Sequence, residues 1–196
     1  HFGYRRQRQM CIRDRANVPF AVRARVCLLR DLGSALSPDN AFAIIQGLET
    51  VALRMKQHCE NAEKVVNFLK KHKEVTKVIY STEHEKKIAD RAKQYLKGGN
   101  GPMVGIELKG GIEAGKKFIE SLKMFYHVAN IGDARSLAIH PASTTHSQLN
   151  EKELAASGVT QSYVRLCIGI EHIDDIIDDL DQALNKSSKG SLKAVS

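Results

Sequence analysis

The chain of 196 residues has no tryptophan, few aromatic residues and no long apolar run. Aromatic side chains make up only 6% of the sequence, which is little for a module that binds nucleic acid by stacking bases on aromatic rings. Without a long apolar run we expect no transmembrane helix. The first residues also lack the apolar region of a secretory signal. We therefore predict that neither a membrane nor nucleic acid is the partner of this protein.

The positive charge is concentrated at the start of the sequence. The formal net charge is +8, and within residues 1–15 five arginines stand against one aspartate, which accounts for half of it. Residues 1–15 show no hydrophobic period and resemble translated adaptor sequence at the end of a gene fragment, so we predict that residues 1–20 are a non-native or disordered leader. The alternatives are a genuine basic arm that binds phosphate and, for the whole chain, a basic nucleic-acid-binding module.

Cysteine and histidine spacings argue against disulfides and metal sites. The four cysteines lie far apart with no C-x-x-C pair, which is typical of reduced thiols in a cytoplasmic protein: Cys11, Cys27, Cys59 and Cys167. His140 and His146 lack zinc-ligand spacing and flanking carboxylates, so we predict no metal. The glycine pairs do not match a dinucleotide or P-loop motif, and no Ser-His-Asp or Cys-His arrangement can be argued.

A long helix is predicted in the first half of the chain. Ser37 and Pro38 have the residue types of a helix start, with serine as the N-cap. From Ile44 to Leu69 apolar residues recur at intervals of three or four, which gives one continuous apolar face. At about 1.5 Å per residue this stripe is about 37 Å long. Because a small domain does not need such length, we expect this helix to connect two domains.

Short strands and helices alternate after the long helix. The predicted strands are Val75–Tyr80, Met103–Leu108, Ser136–Ile139 and Tyr163–Ile168. The predicted helices are Glu85–Leu96, Gly111–Met124, a short helix through Ala156 with the capping-box pair Asn150 and Glu153, and His172–Leu184. The pattern predicts an α/β fold: a small mixed sheet packed with helices, preceded by the long helix. We divide it into residues 21–60 as the end of a larger domain with the inter-domain helix, 61–186 as the small domain, and 187–196 as a disordered tail.

Arg165 is the first candidate for ligand binding. It lies inside an apolar strand, on the same face as Tyr163 and Cys167. The planar guanidinium can donate two parallel hydrogen bonds to a carboxylate, so the position indicates an anion site. The alternative is a structural ion pair with Glu171 or with an aspartate of the last helix.

Ser136 and Thr145 are the other candidates. Ser136 follows the Gly132-Asp133 turn, and its hydroxyl or backbone N–H can assist the same anion; the alternative is a strand-edge serine satisfied by its own backbone. The Thr144, Thr145 and His146 side chains either line a ligand cavity or cap a turn.

Three segments carry a resemblance to a known family. They are ARVCLLRDLGSALSPDNAFAIIQGLETVALRMKQHCENA, NIGDARSLAIHPASTTHSQL and VRLCIGIEHIDDIIDDLDQAL. Over about residues 21–186 the chain resembles the Cys/Met metabolism family of pyridoxal-phosphate (PLP)-dependent enzymes, and within it the O-acetylhomoserine sulfhydrylases. Cystathionine γ-synthases, γ-lyases and methionine γ-lyases resemble it more loosely.

The resemblance implies a fold, a reaction and binding residues. The fold is the C-terminal small domain of a fold-type I PLP enzyme. In that family Arg165 pairs with the α-carboxylate of the amino-acid substrate, and Ser136 assists; we add Thr145 as a further substrate-binding candidate. The reaction is γ-replacement, in which O-acetylhomoserine and a sulfur donor give homocysteine or methionine with PLP as cofactor. Members are commonly homotetramers, and we expect a cytoplasmic enzyme.

The resemblance also predicts what the chain cannot do alone. No lysine lies in the sequence context of the family's Schiff-base lysine, so we assign no catalytic residue and leave the cofactor-binding residues unknown. Those groups belong to a larger upstream domain, of which about residues 21–40 correspond to the last piece. We expect the chain alone to be inactive, as the C-terminal part of a longer enzyme. The alternative is a stand-alone small domain with a regulatory role.

Overall fold

The computed structural model describes residues 19–188, and the chain divides into two compact units between residues 49 and 50. The predictions for residues 1–18 and 189–196 lie outside this range. The first unit contains α1 (Pro19–Arg23), a π-helical segment (Ala24–Leu29), α2 (Arg30–Leu32) and α3 (Pro38–Glu49). The second contains α4 (Val51–Leu69), β1 (Val75–Ile79), α5 (Lys86–Tyr95), β2 (Met103–Leu108), α6 (Gly111–Ser121), β3 (Leu137–Ile139), a 3₁₀ turn (Pro141–Ser143), α7 (Glu151–Ala156), β4 (Tyr163–Cys167) and α8 (Ile173–Ser188).

The predicted single long helix is wrong, because the structure has two helices there. The predicted start is confirmed: the backbone N–H of Asn40 donates to Ser37 Oγ at 3.3 Å. At Thr50, however, the backbone dihedrals are φ −105° and ψ 1°, which lie outside the helical region. The Thr50 hydroxyl oxygen accepts a hydrogen bond from Arg54 Nε at 3.2 Å. Hydrophobic periodicity continues through this break and does not reveal it.

The apolar stripe behaves differently in the two helices. In α4 its residues enter the core of the second unit: Cys59, Ala62, Val66 and Leu69 are buried. In α3 no residue is buried. The largest apolar side chains of α3 are each more than half exposed: Phe42, Ile44, Ile45 and Leu48. An apolar surface of this kind is typical of a segment that packs against another part of a protein.

The sheet has the strand order β1-β2-β4-β3, and all three pairings are antiparallel. β2 and β3 point in the same direction, and β4 lies between them, so every neighbour within the sheet runs in the opposite direction. A mixed sheet was expected, but the described strands are all antiparallel to their neighbours. Among the described residues, parallel pairing occurs only in the isolated bridge between Tyr126 and Leu137. The predicted α/β fold class is confirmed.

One face of the sheet forms the hydrophobic core. Val104, Ile106, Val164 and Leu166 are fully buried in a cluster with apolar side chains of α4, α6 and α8. Because side chains alternate between the faces of a strand, the intervening residues point to the other side of the sheet. We call this side the second face; it carries Gly105, Tyr163, Arg165 and Cys167.

The ends of the last helices also follow local chemistry. Asn150 N–H donates to Glu153 Oε2 at 2.9 Å, and Glu153 N–H donates to Asn150 Oδ1 at 3.1 Å, so the predicted capping box is confirmed. α8 extends to Ser188, two residues into the segment predicted as a tail, and Ser187 is buried. Among residues 19–188, the helices fall short of the length and apolarity needed to cross a membrane.

Asp179 fixes α8 to the segment that follows α6. Its side chain is only 7% exposed. Its carboxylate accepts backbone N–H groups from Lys123 (2.9 and 3.1 Å), Met124 (2.9 Å) and Phe125 (3.3 Å). These N–H groups follow the end of α6 and have no strand partner, so the carboxylate replaces the missing secondary structure.

Replacing Asp179 with alanine is expected to lower the free energy of unfolding by about 2–4 kcal/mol, because partly buried and buried backbone N–H groups lose a charged acceptor. The measurement is urea unfolding of the 196-residue chain. Asp178→Ala is the matched control, since Asp178 is the exposed neighbouring residue of the same helix. Equal losses in the two variants would contradict this role of Asp179.

Candidate functional site

Arg165 lies in the middle of β4, opposite Gly105 of β2 and Ile139 of β3. Its Nη2 donates to the carbonyl oxygen of Asn130 at 3.3 Å. Gly105 leaves room for the Tyr163 ring, because a Cβ atom at position 105 would lie 2.6 Å from that ring. The guanidinium therefore emerges from the sheet beside an aromatic ring and a backbone carbonyl.

None of the ion pairs formed among residues 19–188 involves Arg165. Glu171, the acid named as its possible structural partner, instead binds Ser136. No aspartate of α8 pairs with Arg165 within this range. A partly buried cation without an acid is costly unless an anion compensates it. The geometry therefore favours an anion site over a structural ion pair.

Arg165 lines a cavity of about 230 Å³ at the second face. The cavity is formed by Ile79, Tyr80, Ser81, His84, Met103, Val104, Gly105, Tyr163 and Arg165. Burial raises the pKa of the Tyr163 phenol, and the nearby Arg165 charge opposes this shift in part. Tyr163 therefore stays neutral at physiological pH and retains a hydroxyl that can donate a hydrogen bond.

Residues 130–133 fold back over the second face. Asn130 contacts Arg165 through its carbonyl oxygen, and the backbone of Gly132 makes a hydrogen bond to the Cys167 thiol. Burial raises the pKa of that thiol, so it remains protonated. Gly132 has φ +76°, a left-handed conformation that glycine adopts without strain. Asp133 then caps the turn by accepting the backbone N–H of Arg135 at 3.1 Å.

Ser136 is placed differently from the expectation. It is fully buried, and it does not line the cavity that contains Arg165. Its backbone N–H donates to Glu171 Oε1 at 2.6 Å and its hydroxyl donates to Glu171 Oε2 at 2.9 Å. The hydroxyl also accepts the backbone N–H of Gly169 at 2.9 Å. The Ser136 hydroxyl is therefore bound by Glu171 and Gly169 rather than satisfied by the backbone of Ser136 itself.

The Thr144 and Thr145 hydroxyls make local contacts. Thr145 is exposed, and its Oγ1 lies 2.9 Å from Nδ1 of His146. Thr144 Oγ1 donates to the carbonyl oxygen of His140 at 2.9 Å. Neither threonine lines the Arg165 cavity. The geometry favours the turn-capping interpretation of this segment over the ligand-cavity interpretation.

His140 is a buried structural histidine. Its Nε2 lies 2.8 Å from the carbonyl oxygen of Gln161, so this nitrogen donates, and Nδ1 pairs with Ser143 Oγ at 2.8 Å. Burial lowers the pKa of His140 below its ordinary value of 6.5. Gly115 of α6 packs on the ring, because a Cβ atom there would come within 2.5 Å of it. Among the described residues no group of His, Cys, Asp and Glu side chains could hold a metal ion.

Several contributors to this region cannot be read from the sequence. Asn130 contributes a backbone carbonyl, and Gly105 contributes by the absence of a side chain. The sequence offers Glu171 only as a possible partner of Arg165, and its contact with Ser136 is seen only in the structure. The spacing of Gly169 and Glu171 after an apolar strand indicates a tight turn at this position. It does not indicate which group the Glu171 carboxylate binds.

Comparisons with known proteins agree on one family. Residues 11–185 match the model of the Cys/Met metabolism PLP-dependent enzymes. The chain is 52% identical over 169 residues to the O-acetyl-L-homoserine sulfhydrylase of Leptospira meyeri (86% of this chain, 38% of that protein). It is 42% identical over 171 residues to an L-methionine gamma-lyase of Fusobacterium nucleatum subsp. polymorphum (87% and 43%).

A solved structure shows the same fold. It is a putative O-acetylhomoserine (thiol)-lyase of Campylobacter jejuni that carries N'-pyridoxyl-lysine-5'-monophosphate at its position 205. The TM-score is 0.79 at 42% sequence identity, over 87% of this chain and 40% of that one. The chain thus spans about two fifths of the length of the proteins that it resembles.

Because the pKa of His140 is lowered in the folded state, the unfolded chain binds a proton more readily. The stability that depends on neutral His140 is therefore complete above about pH 6.5 and is lost as the pH falls below it, at no more than about 1.4 kcal/mol per pH unit. His140→Gln is expected to reduce this dependence between pH 7 and pH 5 in urea unfolding. His84→Gln, at an exposed position, is the matched control for the loss of one histidine. The same slope in His140→Gln and the parent would contradict the assignment.

Proposed function

The chain belongs to the Cys/Met metabolism PLP-dependent enzyme family, and we propose that it supplies the amino-acid-binding small domain of an O-acetyl-L-homoserine sulfhydrylase. The complete enzyme would replace the acetate group of O-acetylhomoserine with a sulfur donor and give homocysteine or methionine. The observation that carries the proposal is Arg165, which lines a cavity and has no acidic partner among residues 19–188.

In this proposal Arg165 binds the α-carboxylate of the substrate. The guanidinium fork matches the two oxygens of a carboxylate and fixes the orientation of the bound amino acid. The neutral Tyr163 hydroxyl lines the same cavity and is available as a second donor. Ser136 and Thr145 remain predicted substrate-binding residues; in this structure Ser136 binds Glu171 and Thr145 lies against His146.

PLP is the expected cofactor, since the family is PLP-dependent. When bound in the complete enzyme it supplies an electron sink for chemistry at the amino-acid substrate. The residues described in this chain do not form a site for it: every lysine among residues 19–188 is exposed or only partly buried, whereas covalent attachment uses a lysine enclosed with the cofactor. The role of this part is to hold the amino acid.

The relatives also support an alternative. The 42% identity to an L-methionine gamma-lyase makes elimination from methionine, or a cystathionine γ-synthase-like reaction, the second candidate. The higher identity to the sulfhydrylase, 52%, favours the first. We further propose a homo-oligomer without nucleic acid or membrane as partner. A reducing compartment such as the cytoplasm suits the free thiols of Cys27, Cys59 and Cys167.

The test of Arg165 uses a full-length hybrid in which residues 19–188 replace the matching part of the Leptospira meyeri sulfhydrylase. Arg165→Ala is expected to lower kcat/KM for O-acetyl-L-homoserine about a hundredfold, because two charge-assisted hydrogen bonds of about 1.5 kcal/mol each are lost. Steady-state assays with sulfide measure this, and parallel assays with L-methionine test the alternative.

Arg91→Ala is the control for this experiment, since Arg91 is an exposed arginine of α5. It should leave kcat/KM unchanged. Unchanged kinetics in Arg165→Ala would remove Arg165 from the substrate site, and turnover of L-methionine in preference to O-acetyl-L-homoserine would favour the lyase.

A separate prediction concerns the cofactor. After incubation with PLP and dialysis, the 196-residue chain is expected to retain no visible absorbance of lysine-bound PLP, because it has no buried lysine among residues 19–188. The full-length hybrid is the positive control. A stoichiometric yellow complex of the chain alone would show that its own residues form a PLP site.

A further inference from the structure

The segment 130–136 is held at both of its ends by β4 and by the turn that follows it. One arm returns over the second face, where Asn130 meets Arg165. The other arm runs beside the turn 168–171, where the Ala134 carbonyl oxygen accepts the N–H of Ile170 at 2.9 Å. We call this segment the fold-back loop. The position of this loop determines where the Asn130 carbonyl oxygen lies, and that oxygen contacts the Arg165 guanidinium.

Glu171 holds the second arm. Both of its carboxylate oxygens are used on Ser136, one on the backbone N–H and one on the hydroxyl. The space around this contact is filled, because a Cβ atom at Gly169 would meet Glu171 Oε2 and would lie 2.5 Å from both Ala134 O and Ser136 N. A charge-assisted pair with no room to shift defines the position of Ser136 closely.

The turn itself is fixed from the opposite side by helix α4. His58 Nδ1 donates to the carbonyl oxygen of Ile168 at 2.6 Å. Asn61 Nδ2 donates to the carbonyl oxygens of Gly169 at 3.1 Å and Glu171 at 2.9 Å. Both side chains are fully buried. The backbone of the turn that carries Glu171 is therefore held in place by α4. The Glu171 carboxylate in turn fixes the fold-back loop through Ser136.

We propose that Glu171 is a positioning residue for the carboxylate site: by fixing Ser136 it sets the fold-back loop and, through Asn130, the guanidinium of Arg165. The inference rests on the proposed function of Arg165. Glu171 does not touch the substrate, and it acts through two hydrogen bonds and one backbone carbonyl. Its loss therefore loosens the hold on the α-carboxylate and leaves contacts with the rest of the substrate in place.

The test uses the PLP-loaded full-length hybrid and two unreactive competitors, L-norleucine and L-norleucinamide, which differ only in the carboxylate. Glu171→Gln and Ser136→Ala are each expected to weaken inhibition by L-norleucine about fivefold while changing inhibition by the amide less than about twofold. A loss of stability alone would not separate the two probes. In an Arg165→Ala background, Glu171→Gln should add nothing further, as expected for residues that act through one contact.

Glu120→Gln is the control, because Glu120 is an exposed acid of α6. Equal weakening of both probes, or a lower melting temperature with unchanged L-norleucine inhibition, would overturn the role of Glu171. Ser136→Ala provides the same comparison should Glu171→Gln not fold. A different result would contradict the proposed function itself: unchanged inhibition by L-norleucine in the Arg165→Ala variant.

Discussion

Strand β4 carries both core residues and the proposed binding residue of the second unit, and the alternation of its side chains separates the two. Val164 and Leu166 are fully buried beneath the helices. Tyr163, Arg165 and Cys167 point to the second face. Because β4 lies between β2 and β3, its backbone is paired on both sides, and Arg165 cannot move without disturbing two ladders. The guanidinium is therefore carried by one of the two central strands of the sheet.

The local elements of this fold could be predicted because their signals are local. Periodicity located all four strands and the helices of the second unit within a few residues, and the Asn150 capping box was visible as a spacing. The break at Thr50 was not, because apolar periodicity continues through it. The exposed apolar face of α3 follows the same pattern that is buried in α4, so periodicity alone cannot tell which parts of a stripe are covered.

The site was predicted only in part, for a different reason. The residue type and strand position of Arg165 indicated an anion site, and the structure supplies the missing observation that no acid pairs with it among the described residues. Ser136 and Glu171 are 35 residues apart, and their contact depends on how the turn 168–171 meets the fold-back loop. A spacing in the sequence cannot encode that meeting, so the sequence does not reveal that Glu171 binds Ser136.

The use of Glu171 has an electrostatic consequence for Arg165. An acid that paired with the guanidinium would compete with any incoming carboxylate and would weaken the site by like-charge repulsion. Ser136 and Gly169 hold this acid elsewhere: two donors of Ser136 occupy both of its oxygens, and the missing side chain of Gly169 makes the approach possible. The same contact therefore uses Glu171 on donors other than Arg165 and fixes the loop that contacts the guanidinium.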